Sequence, residues 1–179
     1  MSIFISSETT LEVMILVLPE SSMLVLASLI DPMRAANRLS KRQCFNWKLV
    51  TTDGLPVKCT CGLEITPDEK FSPTDRGNLF FIVSGFKQFE YITNEQIVLV
   101  RRLASKFDAM GGVDTGAWIL AKAGLLNGKS ATTHWEDLED FTSNFRRTNV
   151  QPDRFVIDKD VVTIGGASPT FDFMLHLIR

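Results

Sequence analysis

Three short stretches of the chain are apolar almost without interruption: EVMILVL (12–18), NLFFIVSG (78–85) and FDAMGGV (107–113). Runs of this length that end in proline or small residues, with no polar alternation, are expected of strands covered on both faces in a parallel sheet. The first of them reads as a central strand. Between the runs the apolar period lengthens. MLVLASLIDPMRAANRLS (23–40) places Leu24, Ala27, Leu29, Ile30, Met33, Ala36 and Asn37 near helical spacing, with Ser21 or Ser22 as its cap. Pro32 predicts a kink or a break into two pieces, because an interior proline loses a hydrogen bond and clashes with the preceding turn. NEQIVLVRRLASKF (94–107) is a second helix, with Asn94 as candidate cap, and NWKLVTTDG (46–54) and PVKCTCGLEITPDEKF (56–71) are extended segments divided at Asp53-Gly54. In the last third a helix is expected from Glu136, a hairpin turning at Asp158-Lys159-Asp160, and a final helix within ASPTFDFMLHLIR. Strands and helices alternating in this way predict a single α/β sandwich around a mostly parallel sheet. Ligands of such sheets bind beyond the carboxyl ends of the strands, so residues 19–22, 84–86 and 112–116 are expected at one rim.

Composition narrows the function classes. At 179 residues and 45% hydrophobic content the chain can bury one sizeable core. Nineteen Lys and Arg against 21 Asp and Glu leave a formal charge of −2, without the basic excess that direct nucleic-acid binding needs. The pairs Lys41-Arg42, Arg101-Arg102 and Arg146-Arg147 are scattered and read as solvated surface. Cys44, Cys59 and Cys61 match no zinc pattern and no disulfide framework, which fits a reducing cytoplasm. Cys59 and Cys61 would share a strand face as a small buried pair. MSIFISSETT has no signal-peptide character, and the apolar stretch 13–33 is interrupted at Pro19, so no membrane span is expected. No cofactor or metal is called for.

The chemistry concentrates in GGVDTGAWILAKAGLLNG (111–128). Gly112, Val113, Asp114, Thr115 and Gly116 supply the small residues that a strained strand-to-helix turn of the nucleophile-elbow kind requires. The amides of Thr115 and Gly116 would open the following helix. Taken alone the turn is equally well explained as architecture. Eighteen residues downstream of Gly116, ATTHW adds His134 and Trp135. Together with LPESSMLVLASLIDPMRAANRLS and DRFVIDKDVVTIGGASPTFDFMLHLIR, these segments resemble the class I glutamine amidotransferase-like sensor domains at the N-terminus of AraC-type transcriptional regulators, relatives of PfpI-type cysteine peptidases.

The resemblance implies a flavodoxin-like three-layer fold, a homodimer, and a DNA-binding domain with two helix-turn-helix units beyond residue 179, so that DNA is met only through that further domain. It also counts against catalysis. Where the catalytic relatives carry cysteine this chain has Asp114, and where they carry an acid on the first helix it has Val25. Only His134 is left of the machinery, and a carboxylate is a far weaker nucleophile than a thiolate. A divergent hydrolase forming an ester on Asp114, with His134 behind it, is the alternative. An unpaired carboxylate is costly to bury, so Asp114 suits a cationic small-molecule effector, an amino acid or quaternary amine. The resemblance to regulators of arginine, choline, carnitine or betaine metabolism points the same way. Trp118 and Trp135 are candidates for an aromatic receptacle, with core packing as the alternative for each. Glu20, Ser21, Ser84, Gly85 and Phe86 complete the expected rim. His176 reads as packing or linker surface. The helix at 94–107 is a candidate dimer face, although its apolar stripe is equally suited to the sheet.

Overall fold

The computed structural model describes residues 9–178. MSIFISSE, the larger part of the stretch expected to lack a signal sequence, and Arg179 lie outside that range. In chain order the elements are β1 (Leu11–Val17), α1 (Met23–Ser40), β2 (Phe45–Thr51), β3 (Val57–Lys58), β4 (Glu64–Ile65), β5 (Glu69–Lys70), β6 (Gly77–Ser84), α2 (Asn94–Leu103), β7 (Phe107–Asp114), α3 (Gly116–Lys122), β8 (Ser130–Ala131), α4 (Leu138–Asn144), β9 (Asn149–Val150), β10 (Phe155–Asp158), β11 (Val161–Ile164) and α5 (Ala167–Ile178). Seven strands form one sheet in the order β10-β11-β7-β6-β1-β2-β5, parallel except for the β10–β11 hairpin. β1 is interior, as its unbroken apolar run requires. Its alternate side chains feed two cores: Val13, Ile15 and Val17 pack under α1 and α5, while Met14 and Leu16 pack under α2 and α3. The result is the three-layer flavodoxin-like sandwich. Among the described residues no helix is long and apolar enough to cross a membrane.

Several local expectations are corrected. α1 runs unbroken through Pro32, and its buried stripe is Val25, Leu26, Leu29, Pro32 and Met33, while Leu24 is 65% exposed. An interior proline costs ~3 kcal/mol. Each fully buried aliphatic side chain returns roughly 1.5–3 kcal/mol, so the stripe holds the helix together. Segment 56–71 is not one extended strand but the short β3–β4 hairpin followed by β5 at the sheet edge. The turn inside it separates the cysteines: Gly62 N–H donates to the Cys59 carbonyl, Cys59 is buried and Cys61 is exposed. The 94–107 helix ends at Leu103, and a 3-10 turn (Ala104–Lys106) leads into β7. Its apolar stripe, Ile97, Val100 and Leu103, is spent on the sheet, and Glu95, Val98, Arg101 and Arg102 face outward. That outer face is too polar to argue for a dimer contact.

The cap of α2 is Thr93, one residue before the expected Asn94. Its hydroxyl accepts from Gln96 N–H at 3.2 Å, and the Gln96 side chain accepts from Thr93 N–H at 2.8 Å, a reciprocal capping box. Thr93→Ala is expected to lower the unfolding free energy by about 1 kcal/mol, measured as a fall in the denaturant midpoint with unchanged slope.

Candidate functional site

β1, β6 and β7 end side by side, and backbone bonds lock their carboxyl ends together. Leu18 N–H donates to the Val83 carbonyl at 3.0 Å, Thr115 N–H to the Ser84 carbonyl at 3.3 Å, and the Thr115 hydroxyl to the Gly85 carbonyl. The expected rim therefore assembles. At its centre β7 turns into α3 through Asp114, whose φ is +60°. This left-handed backbone is uncommon for a residue with a side chain and is characteristic of strained functional turns. The turn is possible because glycines let the backbones touch: a Cβ on Gly112 would stand 2.7 Å from Ala117 N, and one on Gly116 would stand 2.1 Å from the Ile82 carbonyl oxygen.

Above the turn is a cleft of ≈ 300 Å³. Glu20, Gly85, Phe86, Asp114, Thr115 and His134 from the expected set line it. Ser22, from the expected rim stretch 19–22, lines it too, as do Val25, Thr60, Glu136, Asp137, Gly166 and Ala167, which the sequence reading did not assign to the wall. Val25 stands, buried, on the wall contributed by α1. The cleft thus has a methyl-bearing surface at Val25, where the resemblance expects the acid of catalytic relatives.

The remaining expected residues serve elsewhere. Ser21 is fully buried, its hydroxyl donating to the Leu18 and Val83 carbonyls at 2.7 and 3.0 Å, so it staples β1 to β6. Ser84 is fully buried with no partner for its hydroxyl, and Gly116 is sealed against β6. Trp118 belongs to the core: its ring lies 5.3 and 5.5 Å from Phe141 and Phe145, on the far side of α3 from the cleft. Trp135 is 70% exposed and borders a neighbouring hollow with Leu138, Pro152 and Arg154. The two tryptophans do not form a receptacle. Phe86, 61% exposed, is the aromatic side chain of the cleft wall. Trp118 sits on the face of α3 that packs against Phe89, Phe141 and Phe145, while Asp114 precedes the helix, at the end of β7. His176, near the end of α5, is exposed and sits 5.9 Å from Phe155, which fits surface packing.

The electrostatics of the cleft are one-sided. Glu20, Asp114, Glu136 and Asp137 line it, without a Lys or Arg. Glu20 has a left-handed backbone (φ +59°), and burial together with the nearby Glu20 carboxylate raises the Tyr91 phenol. His134 Nδ1 lies 3.8 Å from Glu136 Oε2, and the Thr133 hydroxyl donates to the Asp114 carbonyl at 3.2 Å. Burial pushes the Asp114 carboxyl up to about 6, with Asp137 and Glu136 adding to the rise while His134 and the Thr115 amide oppose it. Burial also raises Asp137. The Thr115 N–H is already given to the Ser84 carbonyl, and α3 has only seven residues, so the start of this helix is a poor anion site. No three His, Cys, Asp or Glu side chains among the described residues are placed to hold a metal ion. HWED (134–137) was the missed signal: its two acids read as the start of a helix, and the 3-10 turn Trp135–Asp137 instead swings them over the elbow.

Comparison with known proteins places this architecture. The chain is 34% identical over 163 residues to the HTH-type transcriptional regulator CdhR of Pseudomonas aeruginosa, a match covering 91% of this chain and 48% of the regulator. It is 32% identical over 132 residues to an isonitrile hydratase of Pseudomonas putida, covering 73% of this chain and 57% of the enzyme. The chain spans about half the length of the curated relatives it matches. An AraC family transcriptional regulator from Pseudomonas putida shares the fold, with a TM-score of 0.84 at 24% identity over 94% of this chain and 91% of that one. The sequence profile of the DJ-1/PfpI family matches residues 13–179, and the chain belongs to that family.

Proposed function

We propose that the chain is the noncatalytic ligand-sensing domain of an AraC-type transcriptional regulator, and that its effector is a small organic cation, an amino acid or quaternary amine. The observation that carries this reading is the cleft: four carboxylates, one of them on the strained elbow, with His134 beside them and no Lys or Arg on the wall. Burial disfavours the charged form of Asp114 and of Asp137, and a cation entering the cleft offsets that cost. A compact metal ion is the poorer occupant, because the carboxylates do not converge on one point. Similarity to transcriptional regulators supports the sensing role. Homodimerisation and a DNA-binding domain after residue 179 rest on the resemblance alone. The coupling we envisage is a population shift, in which the effector binds one arrangement more tightly. Gly166 and Ala167, at the start of α5, form part of the cleft wall, so a ligand there acts directly on the helix that leads out of the domain.

Thermal unfolding against amino acids, polyamines and quaternary amines tests the reading. A ligand at about a hundred times its dissociation constant adds ~2.7 kcal/mol, on the order of 5 to 10 °C for a domain of this size. The expected result is such a shift for a cationic compound, absent in Asp114→Asn. The hydrolase alternative draws on Asp114 and His134 bordering one cleft and on the similarity to a hydratase. It predicts a covalent adduct on Asp114 after incubation with esters or halides, visible by mass spectrometry, where the sensor reading predicts none.

A further inference from the structure

The formal charge of −2 conceals a separation of charge along the strand direction. The carboxyl ends of the strands carry the acidic cleft. At the amino ends stand Arg38 in the last turn of α1, Lys41 and Arg42 between α1 and β2, Arg76 immediately before β6, Arg101 and Arg102 at the end of α2, and Lys106 immediately before β7. All seven are exposed. Among the described residues none of them forms a salt bridge, whereas Arg34, Lys48, Lys129 and Arg154 are each paired with a carboxylate. Arg76 and Lys106 border one open hollow with Thr74, and the Lys106 ammonium donates to the Pro73 carbonyl at 2.7 Å.

Three exposed acids share this pole, each already held: Asn46 donates to Glu12 at 2.7 Å, Asn78 to Asp108 at 2.6 Å, and Lys129 pairs with Asp160 at 2.6 Å. Basic residues commonly offset the negative end of a helix dipole, which accounts for Arg38, Arg101 and Arg102. It reaches Lys41, the C-cap of α1, but does not account for Arg76, which precedes a strand, or for Arg42 and Lys106, which lie beyond the helix ends. Two of the three basic pairs that looked scattered in the sequence thus meet at one pole. Five of the seven cations are arginines, whose planar fork suits phosphate. Ile178, at the end of α5, borders a hollow with Arg42, so whatever follows α5 starts beside this surface.

We infer that the amino-end pole is a contact surface for the phosphate backbone of duplex DNA, used alongside the DNA-binding domain that the proposed function places after α5. The inference rests on that reading. It is tested with the 179-residue chain and a short fluorescent duplex of arbitrary sequence, followed by anisotropy as salt is raised. If about five cations meet phosphates, affinity falls roughly 500-fold between 50 and 200 mM salt. Lys41→Glu with Arg42→Glu, and separately Arg76→Glu with Lys106→Glu, each lower the slope of log affinity against log salt by about two. Lys87→Glu, exposed at the opposite pole, leaves it unchanged. Absence of binding at low salt, or a slope unchanged from the wild type in both reversal variants, overturns the inference. So does displacement of the duplex by polyglutamate as readily as by unlabelled DNA, which assigns the surface to an acidic protein. A chain that binds a cationic probe at the cleft yet shows no such DNA binding leaves the proposed function standing and removes this inference alone.

Discussion

Gly116→Ala is expected to cost at least about 4 kcal/mol, in the range reserved for severe steric or packing faults. The added Cβ would stand 2.1 Å from the Ile82 carbonyl oxygen and 3.0 Å from its carbon, both backbone atoms of the adjacent strand. No rotamer change relieves such a clash. Either α3 lifts off β6 or the two strands separate, and the first movement also strains the Thr115–Gly85 bond that closes the rim. Gly128→Ala is the informative control. Its φ is +73°, but nothing lies within 4 Å of an added Cβ, so only backbone strain applies, roughly 1–2 kcal/mol. Denaturant unfolding of both variants should therefore rank Gly116 well above Gly128. Equal costs would mean that the elbow packs more loosely than the structure has it.

Asp114→Asn should raise stability, by an amount that depends on pH. The folded carboxyl sits at about 6 against an ordinary 3.8, and at ~1.4 kcal/mol per unit the difference is of order 3 kcal/mol. Because the folded value is the higher one, the unfolded chain releases this proton first. The penalty is fully present above about pH 6, shrinks as pH falls between 6 and 3.8, and is gone below that. Asparagine is neutral throughout and tolerates the left-handed backbone. The variant should thus gain up to about 3 kcal/mol over the wild type at pH 8 and almost nothing near pH 3.5, measured by urea unfolding at both values. The same substitution should abolish cation binding, so that stability and function change in opposite directions, as they commonly do at ligand sites.

What could be read from the sequence was what local signals specify. β1 was legible because six consecutive apolar residues, Val13 to Leu18, admit few other placements, and the elbow because Gly112 and Gly116 bracket Asp114 at the spacing a strand-to-helix turn needs. The β10–β11 hairpin was legible because Asp158-Lys159-Asp160 is flanked by short apolar runs, and Lys159 takes the positive φ such a turn requires. The misreadings share another cause, since each depended on which way a side chain faces in three dimensions. Trp118 looked like a site residue by proximity in sequence, yet its ring packs against Phe141 and Phe145 in the core. Glu136 and Asp137 looked like an ordinary helix start, and their place over the cleft depends on a 3-10 turn that no pattern announced. Cys59 and Cys61 were assigned one strand face, which a turn at Gly62 divides.

The central claim is that the cleft over the disabled elbow selects positive charge. The most direct measurement is a ¹H–¹⁵N spectrum titrated with tetramethylammonium and, in parallel, with tert-butanol, a neutral probe of similar bulk. The account predicts saturable shifts at the amides of Gly85, Thr115, Glu136 and Asp137 with the cation only, lost in Asp114→Asn. Shifts of equal size with the neutral probe, or saturable shifts that survive in Asp114→Asn, would contradict it.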